Sequence, residues 1–136
     1  MEKYPFSDIT YGVIGVAMEV HSELGPGFLE PVYHEALSIE MTRKGMLYFS
    51  EPQIDIRYKD TVLNKKYSPD FLVADTVVVE LKALPKLTST EESQIINYLK
   101  ATRKTVGLLV NFGASSLEFR RFINQNGKVA QSKEEI

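Results

Sequence analysis

The chain has 136 residues, of which 43% are hydrophobic and 25% charged, and its formal net charge is −2. These values are typical of a globular protein with one core, so we predict a single domain over residues 1–136. The lack of cysteine excludes disulfides, iron–sulfur clusters and thiolate zinc sites. The isoelectric point near 5.7 is not that of a general nucleic-acid binder. Without a long apolar run or a signal-peptide pattern, we expect a complete cytoplasmic protein that does not enter membranes.

Helical periodicity predicts two helices in the first third of the chain. Apolar residues recur every three or four positions from Ile9 to Leu24, and the Gly-Pro-Gly sequence at 25–27 must end this helix. A second helix is predicted from Glu30, because the proline that follows is tolerated in a first turn, to Gly45. We therefore expect two consecutive helices joined by a short turn.

After the second helix, the hydrophobic pattern alternates as it does in strands. Residues 46–50 are predicted to be extended, and strands are predicted over 53–59, 66–73, 77–82, 105–111 and 117–123. The Ser-x-x-Glu spacing from Ser89 to Glu92 is that of a capping box and predicts a helix over 90–103. Residues 124–136 are polar and are expected to fray outside a core of about 7–123. The predicted core is α-α-β-β-β-α-β-β, a mixed α/β sheet flanked by helices.

The segment 66–82 predicts a hairpin that carries opposed acidic side chains. With a loop at 74–76, Asp70 lies opposite Glu80, and Lys82 shares the face of Glu80 because side chains alternate along a strand. Opposed carboxylates repel each other, and a bound cation makes the arrangement favourable. Oxygen ligands favour Mg²⁺ or Mn²⁺ over zinc. The alternative is a solvated salt-bridge cluster, although Glu80 follows three valines, where a carboxylate needs a partner.

Three short motifs in this chain resemble those of one nuclease superfamily. Pro69-Asp70, followed by Glu80-Leu81-Lys82, is similar to the PD-(D/E)XK signature of restriction-endonuclease-like nucleases. Residues 94–98 (QIINY) resemble the QxxxY element of its RecB-like branch, and residues 27–33 (GFLEPVY) resemble the motif that names the GxxExxY family. The resemblance extends over about 9–123 and implies a restriction-endonuclease-like fold.

The resemblance also implies a role for individual residues. The implied catalytic residues are Asp70, Glu80, Lys82, Gln94 and Tyr98. The implied metal ligands are Glu30, Asp70, Glu80 and the carbonyl of Leu81. In this scheme, a bound Mg²⁺ or Mn²⁺ lowers the pKa of its water and neutralises the phosphate, while Lys82 orients the attacking water. The implied activity is phosphodiester hydrolysis in DNA, with RNA as a second substrate.

Other interpretations remain open from the sequence alone. The acidic isoelectric point favours a non-catalytic binding or regulatory module, or delivery of the substrate by a protein partner or within a homodimer. Hydrolysis of small phosphate esters is a third alternative. Glu30 would also suit the dipole at a helix N-terminus. His34, four residues later, is expected to pair with Glu30, and His21 is expected to be a hydrogen-bonded structural histidine.

Overall fold

The structure, a computed structural model, describes residues 6–132 as three helices and two β-sheets. The elements in chain order are α1 Ser7–Leu24, α2 Glu30–Arg43, β1 Tyr48–Ser50, β2 Ile54–Tyr58, β3 Thr61–Tyr67, β4 Phe71–Val73, β5 Val77–Lys82, α3 Ser89–Thr102, β6 Val106–Asn111, β7 Glu118–Gln125 and β8 Lys128–Gln131. The six-stranded sheet has the order β1-β4-β5-β6-β7-β8, with only β5 and β6 parallel, and β2 pairs with β3. The predicted mixed, restriction-endonuclease-like α/β fold is confirmed. No helix within 6–132 is long and apolar enough to cross a membrane.

The central sheet is buried on both faces. Val77 and Val79 of β5 pack in the cluster under α1 and α2, whereas Val78 packs in the cluster under α3. On the α3 side, a Cβ added to Gly107 would lie 2.9 Å from Leu99 Cδ1, so glycine permits the close approach of α3 to β6. This alternation along β5 assigns Glu80 and Lys82 to the α3 face of the sheet.

Two predicted boundaries are wrong by local rules. The single strand predicted over 66–73 is divided into β3 and β4, because Pro69 has no N–H for a ladder bond. The capping box uses Thr88 and Glu91 instead of the predicted Ser89 and Glu92. The Glu91 carboxylate accepts from the Thr88 N–H at 2.7 Å, and the Thr88 hydroxyl accepts from the N–H of residue 90 at 3.3 Å. Helix α3 therefore begins one residue earlier than predicted.

Residues 124–131, which we expected to fray, belong to the large sheet. Asn126 and Gly127 both have positive φ, 56° and 88°, and form the turn between β7 and β8. The Asn124 side chain accepts from the Gly127 N–H at 3.0 Å and donates to the carbonyls of Leu99 and Lys104, both at 3.1 Å. The polar residues are thus satisfied by turn and sheet contacts. Residues 133–136 of the predicted tail lie outside the described part of the chain.

Candidate functional site

The β4–β5 hairpin places Asp70 and Glu80 side by side. The register that pairs Phe71 with Val79 continues outward to these two residues, as predicted. The Asp70 N–H donates to Glu80 Oε1 at 3.1 Å, and the Leu81 N–H donates to Asp70 Oδ2 at 2.8 Å. Two backbone N–H groups therefore hold the carboxylates in one place, where β4 has ended and its ladder no longer covers β5.

The carbonyl of Leu81 faces the same edge. The next carbonyl along the strand, that of Lys82, accepts from the Phe112 N–H at 2.9 Å and so points toward the β6 side. Successive carbonyls of a strand point to opposite neighbours, and the N–H and carbonyl of one residue point to the same side. Because the Leu81 N–H donates to Asp70, the Leu81 carbonyl is directed to the side of the two carboxylates.

Burial and mutual repulsion oppose ionisation of the acidic residues. Burial, followed by the neighbouring Asp70 carboxylate, raises the pKa of Glu80 to about 7, although the Asp70 N–H, Tyr67 and Lys82 act in the opposite direction. Burial and Asp70 also raise the pKa of Glu30, against the opposing charge of Lys82. Lys82 therefore lies within electrostatic reach of both glutamates. A divalent cation would relieve the remaining repulsion.

Glu30 reaches the site from the first turn of α2. It lines a cavity of about 520 Å³ whose walls are Glu30, Pro31, His34, Glu35, Glu51 and Asp70. The hydroxyl of Tyr33 donates to the Gly25 carbonyl at 2.6 Å and accepts from the Phe28 N–H at 3.2 Å. Tyr33 thus fixes the turn that leads into Glu30, which gives the spacing of the 27–33 motif a structural reason.

These elements all lie within a region shared with known nucleases. A protein-family model for the PD-(D/E)XK nuclease superfamily matches residues 7–122. The chain belongs to this superfamily. Membership in the PD-(D/E)XK superfamily indicates a nuclease-type phosphodiesterase that binds nucleic acid, and such enzymes typically use divalent metals. A comparison with curated proteins finds no match to the chain.

The oxygen donors of this PD-(D/E)XK site suit a magnesium ion. No three His, Cys, Asp or Glu side chains in the described part of the chain converge as a ready metal shell. Mg²⁺, however, is usually bound by one or two carboxylates, and waters and substrate phosphates complete its octahedron. Asp70, Glu80 and the Leu81 carbonyl are hard oxygen donors of this kind. The residues present therefore fit Mg²⁺ or Mn²⁺.

His34 contacts Asp70, so the predicted pairing with Glu30 is wrong. His34 Nδ1 lies 3.0 Å from Asp70 Oδ1, and Nε2 lies 2.9 Å from Ser50 Oγ. The ring also stacks on Phe71, with a centroid distance of 4.2 Å. An ionised carboxylate only accepts hydrogen bonds, so Nδ1 is the donor to Asp70. The helical spacing places His34 one turn from Glu30, but the contact with Asp70 depends on how α2 packs against the hairpin.

Tyr67 is a second site residue that sequence analysis missed. Its side chain is 4% exposed, and its ring stacks on Tyr98 at a centroid distance of 4.0 Å and an interplanar angle of 7°. The hydroxyl is close enough to Glu80 to influence its pKa, yet it makes no hydrogen bond of standard geometry to any group in residues 6–132. Burial and the charge of Glu80 raise the pKa of Tyr67. A buried neutral hydroxyl without a protein partner therefore lies beside the acidic pair.

The two predicted α3 residues differ in their surroundings. Tyr98 is half-buried and reaches the site through its stack on Tyr67. Gln94, one turn earlier, is exposed, and its role remains a prediction. His21 is hydrogen-bonded, as predicted, since its Nε2 lies 2.9 Å from the Ala114 carbonyl oxygen. It joins α1 to the segment that follows β6.

Proposed function

We propose that the protein is a Mg²⁺- or Mn²⁺-dependent nuclease that hydrolyses phosphodiester bonds of DNA in the cytoplasm. The observation that carries this proposal is the Asp70–Glu80 pair, held together by backbone hydrogen bonds where burial and repulsion oppose its charge. Such a pair is costly without a cation. Its position within the 7–122 superfamily match makes a catalytic metal the reason for it that we favour.

Each site residue has a definite task in this proposal. Asp70, Glu80 and the Leu81 carbonyl would hold the metal, with Glu30 at the rim of the same cavity. When bound, the metal would lower the pKa of a water molecule and neutralise the phosphate. Lys82 would orient the attacking water and offset the negative charge that develops on the phosphate. His34 would keep Asp70 in its orientation through the Nδ1 hydrogen bond.

We also propose a finer place within the superfamily. The GxxExxY motif at 27–33 and the QxxxY motif at 94–98 support assignment to the GxxExxY family and the RecB-like branch. Tyr33 supports the first by ordering the turn before Glu30. Tyr98 supports the second because it packs on Tyr67 beside the acidic pair. Gln94 would contact the substrate from the exposed surface of α3.

The proposal is tested by cleavage assays on defined polymers. Supercoiled plasmid, linear duplex DNA, single-stranded DNA and RNA are each incubated with Mg²⁺, Mn²⁺ or EDTA. We expect metal-dependent cleavage of DNA that is lost in EDTA and in Asp70→Asn. The matched control is Asp75→Asn, which alters an exposed acid in the hairpin turn and should remain active. A correctly folded parent that cuts none of these polymers with either metal would refute the nuclease proposal and favour the binding module.

A further inference from the structure

The β2–β3 hairpin stands apart from the large sheet. Its two strands pair only with each other. Ile54 and Tyr67, at its base, are buried, whereas residues 57–62 are exposed on both faces of the ribbon. Such a two-stranded ribbon is marginally stable when neither face is covered. The outer half of the hairpin therefore offers a surface that a ligand can cover.

This ribbon carries positive charge in an acidic protein. Residues 54–67 contain four cationic side chains and two acidic ones, a net charge of +2, although the whole chain has −2. Lys66 is paired with Asp55 at 2.8 Å. Arg57, Lys59 and Lys65 are exposed and form no ion pair with any residue of the described chain. These three cations are available to an anionic partner.

The base of the ribbon adjoins the candidate active site. Strand β3 ends at Tyr67, whose hydroxyl lies beside Glu80 and whose ring is fixed by the stack on Tyr98. Asp70 follows three residues later along the chain. A ribbon of five to seven residues spans about 17–23 Å. A polymer held along the ribbon would therefore extend to the acidic pair.

We infer that the β2–β3 hairpin is the arm that holds duplex DNA, with Arg57, Lys59 and Lys65 on its phosphates and the ribbon in its major groove. The inference rests on the proposed nuclease function and adds the class of substrate. The major groove of B-DNA, about 12 Å wide, admits a two-stranded ribbon. The major groove of A-form RNA is deep and narrow, and it does not. Exposed Tyr58, 62% accessible, supplies an apolar contact between the cations.

The test is binding of the full chain, measured by fluorescence anisotropy on a short DNA duplex in EDTA over a range of salt concentrations. The arm variant is the triple substitution Arg57→Ala, Lys59→Ala and Lys65→Ala. The control variant, Lys100→Ala, Lys104→Ala and Lys128→Ala, makes the same change in net charge elsewhere. Circular dichroism and thermal unfolding show whether each variant is folded.

Each lost phosphate contact lowers the slope of log K against log salt by about 0.9, so the arm variant should lose about 2.7 from the slope. We expect its affinity to fall at least about tenfold at low salt, while the control stays near the parent. We also expect weaker binding of duplex RNA than of duplex DNA. An unchanged slope in the arm variant, an equal loss in the control, or equal affinity for the two duplexes would overturn the inference.

Cleavage distinguishes the failure of this inference from that of the nuclease proposal. If the parent binds duplex DNA through the arm but cuts no polymer with metal, the nuclease proposal fails and the arm remains. If the parent cuts DNA and the arm variant binds and cuts as the parent does, the nuclease stands and the arm is refuted.

Discussion

Replacement of Glu80 by glutamine should stabilise the metal-free protein at alkaline pH. Burial and Asp70 raise the Glu80 pKa from 4.5 to about 7, because the folded state disfavours the charged carboxylate. The stabilising effect of the protonated carboxyl is therefore complete below about pH 4.5 and is lost as the pH rises through about 7. Relative to a neutral side chain, the charge lowers the free energy of unfolding by about 3 kcal/mol at pH 8 and by about 1 kcal/mol or less at pH 5.

The measurement is thermal unfolding of the parent and Glu80→Gln in EDTA at pH 5 and pH 8. Glutamine keeps an oxygen that can accept the Asp70 N–H hydrogen bond, so the substitution removes charge and preserves shape. We expect a gain of about 2–3 kcal/mol for the variant at pH 8, which is roughly 10 °C in Tm for a domain of this size. Glu23→Gln, at an exposed acid of α1, is the matched control and should follow the parent at both pH values.

Metal should reverse this order. At a hundredfold excess over Kd, Mn²⁺ should stabilise the parent by about 2.7 kcal/mol and the Glu80→Gln variant far less, because a charged ligand has been lost. A variant that is no more stable than the parent at pH 8, or one with an equal gain at pH 5, would contradict the electrostatic reasoning. An equal Mn²⁺ shift in both proteins would show that the ion binds elsewhere.

Three further substitutions test the supporting contacts. His34→Phe can keep an aromatic ring on the hairpin but loses the hydrogen bond to Asp70, so metal affinity measured by calorimetry should fall about 10- to 100-fold; an unchanged affinity would show that the contact does not position the carboxylate. Tyr67→Phe removes a buried hydroxyl without a protein partner, so the metal-free protein should unfold at the same denaturant concentration or gain about 1 kcal/mol, and a clear loss of stability would reveal a hydrogen bond. Gly107→Ala should cost about 1–3 kcal/mol in urea unfolding, since its Cβ would meet α3 at 2.9 Å, and wild-type stability would mean that the helix moves freely.

The net charge of the chain gave an incomplete account of its partners. The value of −2 argued against general nucleic-acid binding, but the average conceals a cluster of cations in residues 54–67 and a cluster of acids around Asp70. Charges separate into such regions only when elements distant in sequence are placed in space. The acidic surroundings that suit a metal and the basic ribbon that suits DNA can therefore coexist in one small acidic protein.

The sequence by itself determined the hairpin and the opposition of Asp70 and Glu80. Strand alternation and a short turn are local properties, so counting outward from the loop was enough to predict the register that the structure has. The same holds for the helices, whose apolar spacing is set by about 3.6 residues per turn. The choice between two overlapping capping boxes was missed, because both have the same local spacing and only one register of α3 packs on the sheet.

Tertiary structure alone decided the contacts around the acidic pair. His34 reaches Asp70 across 36 residues of sequence, and Tyr67 meets Tyr98 only because α3 packs close to the sheet. Similarly, β8 joins the sheet because β7 provides an edge and Asn124 bonds to the carbonyls at the end of α3 and beyond it. Side-chain periodicity contains no information about which distant face a residue will meet. The ligand positions were therefore readable along the chain, whereas the groups that orient them follow from the packing of helices on the sheet.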